Sequence, residues 1–67
     1  MIHITVNGEQ MQWASSKHLQ ELIDALELTG KRIAVEVNQE VIPQSQHSNT
    51  HLSSDDRIEI VTAIGGG

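Results

Sequence analysis

Cysteine, phenylalanine and tyrosine are absent from this 67-residue chain, and tryptophan and proline occur once each. Without cysteine there is no disulfide framework, no thiolate metal site and no cysteine nucleophile. Basic residues are scarce as well. Four Lys and Arg against nine Asp and Glu leave a net charge of −5, which disfavours nucleic-acid binding, because phosphate backbones are held by clustered Lys and Arg. A protein partner is the better expectation. No apolar run approaches the ~20 residues that span a bilayer, and the apolar pattern starts at Ile2 with no basic segment ahead of it, so a soluble cytoplasmic protein is expected. Length sets the last limit. A domain this small buries only ~60% of the surface its unfolded chain exposes, enough for a modest core but not for a deep active-site cleft.

What the chain does have is concentrated at its end. Three of its five glycines are Gly65-Gly66-Gly67, whereas at an average usage of ~7% a given tripeptide is all glycine in roughly 3 of 10,000 cases. Glycines let another molecule close in on the main chain, so such a tail can thread a narrow slot and present its carboxylate. The opposing reading is a frayed terminus or an expression scar.

Elsewhere the periodicity is clear. Ile2-His3-Ile4-Thr5-Val6 alternates apolar and polar, and Asn7-Gly8 supplies the two positive-φ positions of a type I′ turn. A two-residue loop would pair Val6 with Glu9, Ile4 with Met11 and Ile2 with Trp13, giving strands at 2–6 and 9–13. Leu19, Leu22, Ile23 and Leu26 then follow helical spacing. Ser15 or Ser16 is the expected N-cap, with no Glu or Gln three residues on to complete a capping box, and Gly30 is the expected stop. Ile33, Val35 and Val37 mark a third strand, Asn38-Gln39-Glu40 a turn, and Val41-Ile42 a short fourth strand that Pro43 confines to an edge. Gln44 to Ser54 is polar apart from Leu52 and reads as a loop. Asp55-Asp56 leads into a last strand from Arg57 to Ala63, with Ile58, Ile60, Thr62 and Ile64 on one face and Val61 and Ala63 on the other. The order ββαββ plus a final β, with one helix to cover one face of a mixed sheet, is the α+β β-grasp arrangement, since a ferredoxin-like plait would need a second helix. Residues 1–64 are the expected domain and 65–67 a flexible tail.

Few side chains offer chemistry. His47 and His51 have i, i+4 spacing, but two histidines with no cysteine and no acid between them make an incomplete ligand set, and surface histidines are expected. Asp55 and Asp56 are adjacent, so on a strand they would point to opposite faces; they read as turn residues. Trp13 is expected in packing. Two features remain. Val61 and Ala63 fall on the face the helix leaves open, where exposed apolar surface can guide docking, although both are also ordinary strand formers. The Gly67 carboxylate is ionised at neutral pH, an α-carboxyl having a pKa of ~3.3–3.7, and can attack the α-phosphate of ATP in a partner's site.

Taken together, strand 1 with Asn7-Gly8, the segment Ala34-Val35-Glu36-Val37-Asn38-Gln39-Glu40-Val41-Ile42-Pro43, the stretch Asp56-Arg57-Ile58-Glu59-Ile60-Val61 and the terminal glycines resemble the ThiS sulfur-carrier proteins of thiamine biosynthesis, over nearly the whole chain. The resemblance implies a ubiquitin-like β-grasp fold and a carrier that is not itself an enzyme. It also implies an E1-like adenylating enzyme that consumes ATP, a persulfide sulfur donor protein, and thiazole synthase as recipient. By the same resemblance Gly67 is the group adenylated and converted to a thiocarboxylate, Gly66 is its flexible neighbour, and Gly65 lies beyond the usual pair. Ile64, Ala63 and Val61 are the expected partner contacts beside the tail. No bound cofactor or metal is implied. The chain departs from the family at Gln44, where Arg commonly follows the proline, and at Ser54-Asp55-Asp56, where Asp-Gly-Asp is typical.

Other readings share parts of the pattern. Carriers for molybdopterin synthesis have the same fold and tail but commonly a Phe-Pro-Pro-like stretch before the end, which Ile58 to Ile64 lacks. A ubiquitin-like modifier would use the same activation step. A plain binding module would keep its function without Gly66 and Gly67.

Overall fold

The computed structural model describes residues 1–62; the expected positions Ala63, Ile64, Gly65, Gly66 and Gly67 lie outside the described residues. The strands are β1 (Ile2–Val6), β2 (Glu9–Trp13), β3 (Ile33–Val37), β4 (Glu40–Val41) and β5 (Arg57–Thr62), with helix α1 (Leu19–Ala25) after β2 and a 3-10 helix (Gln44–Asn49) after β4. They form one mixed sheet in the order β2-β1-β5-β3-β4. β1 and β5 run parallel in its centre, and the other neighbours are antiparallel. The chain has the β-grasp arrangement of the ubiquitin-like proteins.

Local chemistry explains most of this. Asn7 (φ 50) and Gly8 (φ 86) adopt the two positive dihedrals of a type I′ turn, whose twist matches the flanking strands. The expected register follows: Ile2 faces Trp13, Ile4 faces Met11 and Val6 faces Glu9. The second hairpin uses the same device with less permissive residues, Asn38 (φ 52) and Gln39 (φ 71), which sets Val37 opposite Glu40. The fourth strand is therefore Glu40–Val41 rather than one beginning at Val41-Ile42. Pro43 follows at the sheet edge, where a missing donor costs no ladder bond.

The helix is shorter than its apolar stripe suggests, and its caps differ from the expected ones. His18, not a serine, is the N-cap, and the Glu21 carboxylate accepts its backbone N–H at 3.1 Å. Glu21 thus supplies the carboxylate half of the capping box that neither serine could complete. The stop precedes Gly30. Glu27 (φ 60) takes the left-handed position, and the N–H groups of Leu28 and Glu27 reach Ile23 O and Asp24 O, each at 3.0 Å, the Schellman pattern. Leu26 consequently leaves the stripe and is 38% exposed.

One core joins the helix to one sheet face. Ile4, Val6, Trp13, Val35, Ile58 and Ile60 from the sheet meet Leu19, Leu22 and Ile23 from α1, with Leu52 from the segment after the 3-10 helix. At ~25 cal/mol per Å² of apolar surface buried, these side chains supply the main favourable term in folding. The polar segment after Pro43 is ordered rather than a plain loop. His47 is only 4% exposed, its Nε2 lies 3.1 Å from Ile42 O, and Leu19 donates its N–H to Thr50 O at 2.7 Å.

Candidate functional site

β5 leads into the terminal segment, so the geometry that matters is how β5 is held and what it shows. Alternation puts Ile58 and Ile60 in the core and turns Val61 outward, 63% exposed. Ala34, exposed on β3, lies directly opposite Val61. Val41, 64% exposed, is on the same open face, opposite Glu36, which in turn faces Glu59. The open face near the end of β5 therefore carries apolar positions at Val61, Ala34 and Val41 around a carboxylate pair. Like charges directly opposite one another destabilise a sheet. Thr62 sits on the core-facing side but is exposed, because the strand is leaving the helix-covered area.

β5 is pinned just before Val61. The ladder between β1 and β5 runs through Thr5 N–H to Asp56 O and Asn7 N–H to Ile58 O, each 2.9 Å. At Asn7 the backbone turns away, and its side-chain amide continues the ladder. Nδ2 donates to Ile60 O at 3.2 Å, and Oδ1 accepts Ile60 N–H at 2.8 Å. Asn38 does the same from the other hairpin, where its Oδ1 accepts Arg57 N–H at 2.9 Å and its Nδ2 donates to Asp56 Oδ1 at 2.9 Å. β5 is thus held at Arg57 and at Ile60 by asparagines that also occupy turn positions. Sequence reading identified Asn7 for its turn alone; nothing in local periodicity shows that an amide side chain will meet a strand 53 residues away.

The remaining candidates are structural. Asp55 (φ 71) stands in a left-handed turn position. Asp56 accepts Ser53 N–H at 2.7 Å. The buried His47 and the exposed His51 do not form a pair; His51 instead lies edge-on to His18 with ring centroids 6.2 Å apart. Among the described residues no group of three or more His, Asp or Glu is arranged to hold a metal, and no helix is long and apolar enough to cross a membrane. Trp13 is packed in the core, and its indole N–H reaches Lys17 O at 3.4 Å.

A groove of about 460 Å³ opens beside the start of β3. Its lining includes Ile23, Leu28 and Ile33 together with Lys31, Arg32 and Gln44. Ile33 pairs with Thr62, so the groove lies next to the last described residue of β5.

Comparison with known proteins agrees with this geometry. The sequence model of the ThiS family matches residues 4–67. The sulfur carrier protein ThiS of Bacillus subtilis is 32% identical over 65 residues, which cover 96% of this chain and 98% of that one. A thiazole synthase of Paramagnetospirillum magneticum is 33% identical over 64 residues, covering 96% of this chain but only 20% of that much longer protein. Among solved structures, the thiamine biosynthesis protein ThiS of Geobacter metallireducens superposes with a TM-score of 0.82 at 30% identity, over 98% of this chain and 100% of that one. With the sheet order, the helix and the sequence match in agreement, the chain belongs to the ThiS family, the small sulfur carriers of thiamine biosynthesis, which are not catalysts.

Proposed function

We propose that this chain carries sulfur on its own C-terminal carboxylate for the thiazole step of thiamine biosynthesis. The observation that carries the reading is the family match through residue 67, which includes the Gly65-Gly66-Gly67 end. Its described part offers no competing reactive cluster.

The chemistry needs activation because oxide is a poor leaving group from a carboxylate. One carboxylate oxygen of Gly67 attacks the α-phosphorus of ATP in the site of an E1-like adenylating enzyme. Pyrophosphate leaves, and the acyl-adenylate has AMP as a good leaving group. The terminal sulfur of a persulfide donor protein then attacks the acyl carbon, the bond to AMP breaks, and an acyl persulfide forms. A thiol of the partner cleaves its S–S bond, forming a disulfide there and leaving the thiocarboxylate. That sulfur is the nucleophile passed to thiazole synthase. Recognition by thiazole synthase draws support from the relative in which a matching segment occupies one part of a thiazole synthase chain.

In this scheme Gly65 and Gly66 supply slimness, because a side chain would block entry to a narrow channel. Val61, Ala63 and Ile64 supply apolar contact beside it. The carrier binds no cofactor of its own, and ATP is used by the enzyme. We place the chain in the cytoplasm, with its soluble partners.

Incubation with the adenylating enzyme, ATP and a sulfur donor, followed by intact-mass measurement, tests the reading: oxygen is exchanged for sulfur at Gly67 alone. Deleting the gene and restoring growth with the thiazole precursor identifies the pathway. Restoration by molybdopterin products instead would exclude it.

A further inference from the structure

The groove beside β3 combines features that the sulfur chemistry does not use. Ile23 is buried and Leu28 and Ile33 are half-buried along it, while Lys31 and Arg32 are exposed at it. These two cations are half of the four basic residues in a chain of net charge −5. Among the described residues neither belongs to an ion pair, the one pair present being His18 with Glu21. Gly30 (φ 83) and the turn closed by Lys31 N–H to Leu28 O at 3.1 Å set the backbone from which both project.

The groove also adjoins the end of β5, next to the face proposed for docking. Ala34 lines it and is at the same time the cross-strand partner of Val61, and Ile33 pairs with Thr62. An enzyme that engages β5 at Val61 and Thr62 would meet Lys31 and Arg32 close by. We propose that this groove docks an acidic segment of the adenylating enzyme, an Asp or Glu flanked by apolar side chains, with the carboxylate at Lys31 and Arg32 and the apolar part against Ile33 and Leu28. Arg32 offers a planar fork that can hold a carboxylate through two parallel hydrogen bonds. Lys31 adds a point charge. The contact speeds encounter and fixes orientation while the acyl chemistry proceeds elsewhere, which is how rim charges act at interfaces.

This inference rests on the sulfur-carrier reading, and one experiment separates the two. Adenylation of the full chain by its enzyme is followed as pyrophosphate release, for the wild type, for Lys31→Glu with Arg32→Glu, and for Lys17→Glu as a control cation over the Trp13 ring, 5.4 Å from its centroid. The double reversal raises KM for the carrier about tenfold or more, a loss that shrinks as salt screens the charges, and leaves kcat within about twofold. The milder Lys31→Gln with Arg32→Gln gives a smaller rise, and the control gives none. Circular dichroism confirms that the exposed substitutions leave the fold intact. No adenylation of the wild type overturns the carrier reading and the groove's role with it. Adenylation of the double reversal at the wild-type KM overturns the groove alone. So does amide-signal perturbation of Lys31 and Arg32 by inorganic phosphate, which marks a small-anion site, or their perturbation on deleting residues 65–67, which marks the chain's own end as occupant.

Discussion

Two aspartates do opposite things to stability. Asp55 holds φ 71, a conformation that costs a residue with a Cβ about 1–2 kcal/mol. Replacing it with glycine removes that cost at the expense of unfolded-chain entropy, so Asp55→Gly should raise stability by about 0.5–1 kcal/mol in urea unfolding. Asp24 is stabilising. Its carboxylate accepts hydrogen bonds from the Thr29 hydroxyl and, at 3.0 Å, from Gln20 Nε2, and these, the Thr29 bond first, hold its pKa below the ordinary 3.8. A carboxyl whose folded pKa is depressed stabilises the fold above its ordinary value and loses that contribution as pH falls through the folded one. Asp24→Asn should therefore flatten the fall in stability below about pH 4, read from urea midpoints across acid pH. Single positions of this kind are poorly visible in a sequence: Asp55 was recognisable as a turn residue, but its backbone angle was not, and the Asp24–Thr29 tie depends on where the helix stops.

At the scale of elements, the strands follow directly from alternation and turn chemistry, because one face of each must reach the core and a one-residue slip would expose it. The helix ends were less readable. Gly30 looks like a stop, yet Leu28 packs back against the core when Glu27 adopts the left-handed angle, and burial of an apolar side chain outweighs a preference for glycine at that position. His47 is a similar case. Its polar neighbours suggested exposure, but the 3-10 turn carries the ring inward to Ile42 O, and no short-range pattern encodes that contact. The most consequential element-level feature is the Asn7 clamp on β5. Asn7→Ala should cost about 1–3 kcal/mol, from two lost hydrogen bonds and a positive φ forced on alanine. Asn7→Gly, which keeps the turn, should cost less. In both variants amide exchange at Ile60 should speed up more than at Val35, whereas equal acceleration would mean that the clamp acts on global stability alone.

For the whole molecule, the proposed function separates holding from doing. The helix-covered face supplies stability; in the proposed scheme the open face near Val61 and the groove at Lys31 and Arg32 meet the partners, and the Gly67 carboxylate is the reacting group. Val61→Glu tests that separation. Exposed at 63%, Val61 should tolerate the change within about 0.5 kcal/mol of stability, while KM for the adenylating enzyme rises because a charge enters an apolar contact. Sequence alone pointed to Val61 by parity on its strand and to the glycine end by composition. It did not reveal Ala34 and Val41 as neighbours of Val61, since that requires the order in which β5, β3 and β4 lie side by side.

The most direct test of the central claim is the intact mass of the chain after reaction with its adenylating enzyme, ATP and a sulfur donor, with fragmentation to locate any change. Replacement of one oxygen by sulfur at Gly67, and no change in a chain ending at Gly65, is the predicted result. An unaltered terminus after a complete reaction with active partners, or sulfur placed on any other residue, would contradict it.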